Sequence, residues 1–257
     1  ALAHVRKAYA ALISFSDAQL GRLLDVMDQY NLWQDTMLIV NTDHGTFLGE
    51  NDYMMKCIMP CFEEIAHIPL FIWDPRSPGS AGQQREALVQ TIDLAPTLLD
   101  YFEIAIPPDM TGIPLRDTVA QDETVRSAAL FGTFNGPSSV TDGRYLLIEY
   151  PVNPTTQLYR YTLMPTDMAN RCTVNQVAEA TLAPPFRFTK GCPQLKLPVD
   201  FGKVYVSEAH TGLLEEGYLL FDLHTDPEQL HPIHDPAVRD QLRQAMQRLF
   251  DQHDAPL

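Results

Sequence analysis

An aspartate and a histidine stand side by side at positions 43 and 44, separated by two residues from the apolar run 37–40, and a lone lysine, Lys56, follows the histidine by twelve residues. A carboxylate and an imidazole can share one divalent cation. An ammonium group beside that cation would add a second fixed positive charge for an anionic substrate. Held within a strand, Asp43 and His44 would point to opposite faces. Placed in a loop just past the strand end they can converge, and ligands of open α/β sheets sit beyond the carboxyl ends of strands. The plain alternative stays open: Asp43 capping a turn, His44 a solvated loop residue. Lys56 alone reads as a surface lysine, although its neighbours Met54, Met55, Cys57, Ile58 and Met59 are all apolar. As chemistry, the three residues are half of a hydrolytic site.

The elements that must position them follow from periodicity. Apolar residues Val5, Tyr9, Leu12, Ile13, Leu20, Leu23, Leu24 and Met27 recur at helical spacing, which predicts a helix over residues 3–30. A strand over 37–42 carries the Asp-His pair at its end. A polar loop with Gly45 and Gly49 leads to a short helix near 62–66 and a second buried strand over 68–73. Asp93 reads as the N-cap of a helix over 94–102, with Pro96 tolerated in its first turn. Strand, helix, strand and helix in this order imply a parallel sheet. Beyond about residue 120 the pattern changes to short strands at 128–133, 139–150, 157–163 and 218–223, with a hairpin turn at Thr141-Asp142-Gly143-Arg144. Residues 164–217 read as long, irregular and proline-rich, and an amphipathic helix over 236–252 closes the chain.

The 257 residues, 45% hydrophobic and 20% charged, have the composition of a globular protein with one large domain or a domain plus subdomain. No apolar run nears the roughly eighteen residues that span a bilayer. The net charge of −15 opposes nucleic acid and anionic membrane surfaces as partners, and it makes local positive charge necessary for any anionic substrate. Basic residues gather between Arg144 and Lys203, where seven face only four acids. Arg187 and Lys190 in that stretch are candidates for a substrate-side wall or, equally, for a subdomain contact. Cys57, Cys61, Cys172 and Cys192 form neither a CxxC pair nor zinc-finger spacing. Free thiols are expected, with a Cys172–Cys192 disulfide left open. The chain opens inside a running helix without a Met, so residues upstream of Ala1 are expected. Localisation stays open, a cytoplasmic one slightly favoured.

Taken together, the segments YAALISFSDAQLGRLLD, TMLIVNTDHG, LGENDYMMK, FEEIAHIPLFIWDPR, VQTIDLAPTLLDYF, IPPDMTGIPLRD and LLFDLHTDPEQLHPIHDP resemble the sulfatase branch of the alkaline-phosphatase-like superfamily, in the family's order. The resemblance covers nearly all the chain except 151–217. It implies an α/β fold with a parallel or mixed sheet flanked by helices, plus a C-terminal antiparallel β subdomain and terminal helix. Residues 1–120 would be the C-terminal part of the catalytic domain, and 121–257 the subdomain with its insertion at 151–217. Asp43 and His44 would ligate a divalent metal, calcium by its hardness or manganese or another transition metal by the imidazole. Lys56 would be the catalytic and substrate-binding cation on the sulfate oxygens.

Two departures accompany the resemblance. Many relatives have Gly-Glu-His where this chain has Gly49-Glu50-Asn51, which puts a general-acid role at Asn51 in doubt. The family's formylglycine nucleophile arises in a (C/S)-x-P-x-R motif that Cys57-Ile58-Met59-Pro60 does not fit, and its paired N-terminal aspartates are absent too. The implied partners are a small-molecule or saccharide sulfate ester and an N-terminal half of the same enzyme. Association between copies is left open, and a phosphodiester or phosphonate monoester hydrolase of the same superfamily is the alternative activity, alongside a non-catalytic fragment.

Overall fold

The computed structural model describes residues 1–56, 60–133, 136–150, 157–164, 166–167, 170–199 and 206–255. The first stretch forms α1 (Leu2–Gln29), β1 (Leu38–Asn41), β2 (Phe47–Leu48), β3 (Met54–Met55), α2 (Glu63–Ala66), β4 (Leu70–Trp73), α3 (Leu94–Tyr101) and α4 (Arg116–Gln121). Then come β5 (Ala129–Gly132), β6 (Ser138–Thr141), β7 (Tyr145–Glu149), β8 (Leu158–Thr162), β9 (Thr166–Asp167), β10 (Asn170–Arg171) and α5 (Val174–Ala178). Last are β11 (Thr181–Ala183), β12 (Gln194–Val199), α6 (Gly212–Glu215), β13 (Tyr218–Asp222) and α7 (Pro236–Gln252). Among the described residues no helix is long and apolar enough to cross a membrane.

Helix α1 matches the predicted periodicity and ends where Asn31 turns left-handed at φ 54°, a conformation asparagine tolerates better than most residues. Its apolar residues are not all covered: Leu12, Ile13 and Phe15 stay 64%, 53% and 64% exposed. Strands β1 and β4 pair with Leu38 opposite Trp73 and Asn41 opposite Leu70. The pair is antiparallel, not parallel as the element order implied. A parallel return needs a crossover that carries the chain back along the sheet. Here the connection stays at the far end of β1, where the Gly45 N–H donates to the Ile65 carbonyl at 3.0 Å, so β4 starts where β1 stops.

The strands 5, 6, 7 and 13 form one antiparallel sheet in the order β13-β7-β6-β5, with the expected hairpin at 141–144 between β6 and β7. Its alternation builds two cores. Leu146 and Ile148 with Leu219 and Phe221 face Phe47, Tyr53 and Phe62. Leu147 with Tyr218 and Leu220 faces Leu242, Ala245 and Met246 of α7. Helix α7 begins at Asp235, whose carboxylate accepts the backbone N–H groups of Ala237 and Val238, an ordinary N-cap. The loop after β1 is thus packed on one face of this sheet and α7 on the other, so a shared core bridges the boundary drawn near residue 120.

Much of the stretch read as irregular is ordered: β8 pairs with β12, and β12 with β11. The prolines hid this. Pro198 lies opposite Tyr159 of β8 and beyond the last β11 pairing at Lys196, so its missing N–H falls on an open edge. Cys61, Cys172 and Cys192 are free thiols, without the disulfide left open above, and Cys192 is exposed. Cys57 lies outside the described residues.

Candidate functional site

Three side chains converge beyond the end of β1. The Asp43 Oδ1 accepts the His44 backbone N–H at 3.0 Å, which leaves Oδ2 directed at His44 Nε2, 3.2 Å away. The other ring nitrogen, Nδ1, lies 2.8 Å from the Gly45 carbonyl. A carbonyl only accepts, so Nδ1 carries a proton, and in the neutral ring Nε2 presents a lone pair. Two acceptors then face one another across 3.2 Å, an arrangement that calls for a cation between or beside them. The Lys56 ammonium donates to that same Nε2. Desolvation raises the Asp43 carboxyl, but the charge His44 takes on when protonated, backbone N–H bonds and the Lys56 ammonium together outweigh it and hold the group below the usual carboxylate range.

The local backbone explains why these letters are needed. A Cβ on Gly45 would sit 1.7 Å from the Glu64 carbonyl oxygen, so only glycine lets the chain close on α2 immediately after His44. Gly49, at φ 105°, turns the β2–β3 hairpin where side chains are disfavoured, and its N–H donates to the Tyr53 carbonyl at 2.9 Å. Arg6 of α1 donates from Nε to the Leu48 carbonyl at 2.8 Å. Lys56 follows β3 directly. Gly45→Ala should destabilise the chain by about 1–3 kcal/mol through overpacking. Gly21→Ala, with nothing within 4 Å of the added carbon, should stabilise it by up to about 1 kcal/mol. Paired urea titrations check the contrast, and equal effects at the two sites would reject the close-approach explanation.

A carboxylate oxygen and an imidazole lone pair form a donor set that fits a divalent cation. Among the described residues, no group of three or more His, Cys, Asp or Glu side chains could hold a metal ion, so Asp43 and His44 would supply only part of a coordination shell. Asn51 does not join them: its Nδ2 donates to the Glu228 carbonyl at 3.0 Å. Arg187 and Lys190 serve as structural contacts. Arg187 Nη2 donates to the Asp251 and Gln252 carbonyls at the end of α7, and Lys190 pairs with Asp109 at 3.0 Å. His67 is exposed and paired with Glu63 at 2.6 Å. Glu64 is half-buried, and burial with Glu50, Glu63 and Glu228 nearby raises its carboxyl despite a backbone hydrogen bond.

One polar residue beneath the site was given no role from sequence. His210, fully buried, faces Tyr53 of the site loop. Burial lowers its imidazole below the usual histidine value against the opposing pull of the Gln229 carbonyl and Asp226. An isolated histidine in an aperiodic, proline-rich stretch carries no sequence signal of such a place.

Residues 2–104 match the family model described as Sulfatase. Relatives include an arylsulfatase of Clostridium perfringens, 32% identical over 47% of this chain and 25% of its own length. Arylsulfatase K of Homo sapiens is 33% identical over 44% of this chain and 20% of its own. Among solved structures, a protein in complex with its substrate D-glucosamine-2-N,6-O-disulfate superposes with a TM-score of 0.61 at 19% identity, covering 93% of this chain and 38% of that one. A phosphonate monoester hydrolase from Silicibacter pomeroyi superposes at 0.56 with 18% identity, covering 94% and 39%. The fold is alkaline-phosphatase-like. Over residues 2–104 the chain is similar to the sulfatase family, and it spans a fifth to a quarter of the length of the arylsulfatases named here.

Proposed function

We propose that this chain carries the metal-and-lysine half of a sulfuric ester hydrolase site. The observation behind the reading is the convergence of Asp43 Oδ2, His44 Nε2 and the Lys56 ammonium beyond β1. Asp43 and His44 would hold a divalent cation, calcium by the carboxylate or manganese by the imidazole, and the bound ion would supply Lewis acidity toward a sulfuryl oxygen. The bond from His44 Nδ1 to Gly45 keeps the ring in the tautomer whose lone pair faces outward. The engagement of Asp43 Oδ1 by the His44 N–H fixes which carboxylate oxygen is free. Lys56 binds the sulfuryl oxygens and offsets the negative charge that grows as the ester bond breaks. None of the three is a nucleophile, which an N-terminal part of the enzyme would contribute. The exposed apolar residues of α1, with Phe71 at 67% and Phe102 at 66% exposure, are the surface such a part would cover.

The test is a substrate and metal profile of the enzyme containing this chain. Aryl or saccharide sulfate esters should be hydrolysed faster than aryl phosphodiesters and phosphonate monoesters, and chelation should abolish turnover, with calcium or manganese restoring it. A preference for the phosphorus esters would transfer the site to the alternative activity. Chelation without effect would remove Asp43 and His44 from the metal role. The chain by itself is expected to show no esterase activity.

A further inference from the structure

The segment that carries Lys56 has little structure of its own. Strands β2 and β3 are two residues each, Met54 and Met55 are exposed, and Met55 sits at a positive φ of 67°. Such a segment does not hold an ammonium group in place unless something beneath anchors it. The anchor is Tyr53, three residues before Lys56 and fully buried. Its ring packs on Phe47 at 5.0 Å, on Phe62 at 5.6 Å and, nearly parallel at 12°, on the imidazole of His210 at 5.9 Å.

The polar end of this stack has a definite direction. His210 Nε2 lies 2.8 Å from the Gln229 carbonyl, so Nε2 carries the proton and Nδ1 accepts. The Tyr53 hydroxyl lies 3.1 Å from Nδ1 and donates to it. The Ser207 hydroxyl lies 3.0 Å from the same nitrogen, and the Ser207 N–H donates to the Tyr53 oxygen at 3.1 Å. The Gln229 side chain extends the contact to α2, its Oε1 accepting the Glu63 N–H at 2.7 Å.

We infer that His210 is the positioning residue of the Lys56 segment, the neutral imidazole fixing Tyr53 and, through it, the place of the ammonium group against His44. The inference rests on the reading of Lys56 as the sulfate-binding cation for its functional meaning, although the geometric claim stands without it. The C-terminal segment 206–229, remote in sequence from the site, thereby controls the geometry at Lys56.

The experiment measures how fast amine-directed acetylation modifies each lysine of the full chain, by mass spectrometry, with Lys7 and Lys190 as internal references. Tyr53→Phe keeps the ring stack and removes the hydroxyl. His210→Leu removes the acceptor, and His210→Asn returns a side-chain acceptor. Lys56 labelling should rise about fivefold in the first two variants, as losing one ordinary hydrogen bond implies, with the references unchanged and the rate largely restored in His210→Asn. Labelling of Lys56 at the wild-type rate in folded Tyr53→Phe would overturn the inference. A uniform rise at all lysines would do the same, since it reports general loosening rather than positioning. A second arm adds inorganic sulfate with calcium. Failure of sulfate to protect Lys56 in the wild type would count against the proposed function alone, because the labelling contrast between variants does not depend on sulfate.

Discussion

Lys56→Ala is expected to lower kcat/KM for a sulfate ester by about 10²–10³-fold in the enzyme that contains this chain, the range for losing one group aimed at developing charge. The side chain is exposed, so the loss should come without a change in stability. Nor should it weaken metal binding, because the ammonium does not ligate and competes with a cation for the one lone pair of His44 Nε2. His44→Ala should do the opposite at the binding step and lose the metal by calorimetry while Lys56 remains. Lys56→Arg should recover little of the lost rate, since a planar fork replaces a compact point charge. A Lys56→Ala enzyme with wild-type kcat/KM would end the reading of this residue as the sulfate-binding cation.

The residues of this site were visible in the sequence because they break a pattern. An apolar strand that stops at Asp43-His44-Gly45 leaves polar side chains at a strand end, and a lysine among methionines needs a reason. The β6–β7 hairpin and α7 were equally plain, since both are local: one turn sequence, one helical period. The direction of β4 was not local. It depends on where the intervening loop sits, and the Gly45–Ile65 bond that keeps it at the end of β1 has no sequence signature. The 164–217 stretch was misread for a related reason, as proline argues against strand until the pairing on each side of Pro198 is known. His210 and Arg187 show the limit most clearly. Their roles, beneath Tyr53 and at the end of α7, are made by contacts 157 and 64 positions away in the chain.

A larger effect on folding is expected at Asp93, which the sequence presented as a simple helix cap. The side chain is fully buried and accepts from Arg126 Nη1 and Nη2 at 2.5 and 2.6 Å. It also accepts the Gln90 N–H and the Ile113 N–H, each at 2.8 Å. One carboxylate therefore joins the start of α3, the segment before α4 and the approach to β5. Asp93→Ala strands a guanidinium that is only 11% exposed and leaves two backbone N–H groups without their acceptor. Removing one partner of a buried pair costs about 3–5 kcal/mol, and the orphaned donors add to that. For a chain of this size, about 4 kcal/mol lowers Tm by roughly 8–16 °C. Asp93→Asn keeps an acceptor and should lose less, while Asp25→Ala on the exposed face of α1 should stay within about 0.5 kcal/mol. Denaturant and thermal unfolding of the three variants give the comparison. If Asp93→Ala unfolds like Asp25→Ala, the carboxylate is not the junction its four hydrogen bonds describe, and the coupling of the first 120 residues to the β5 sheet must come from the apolar core and from contacts such as Gln90 Nε2 to the Leu130 carbonyl.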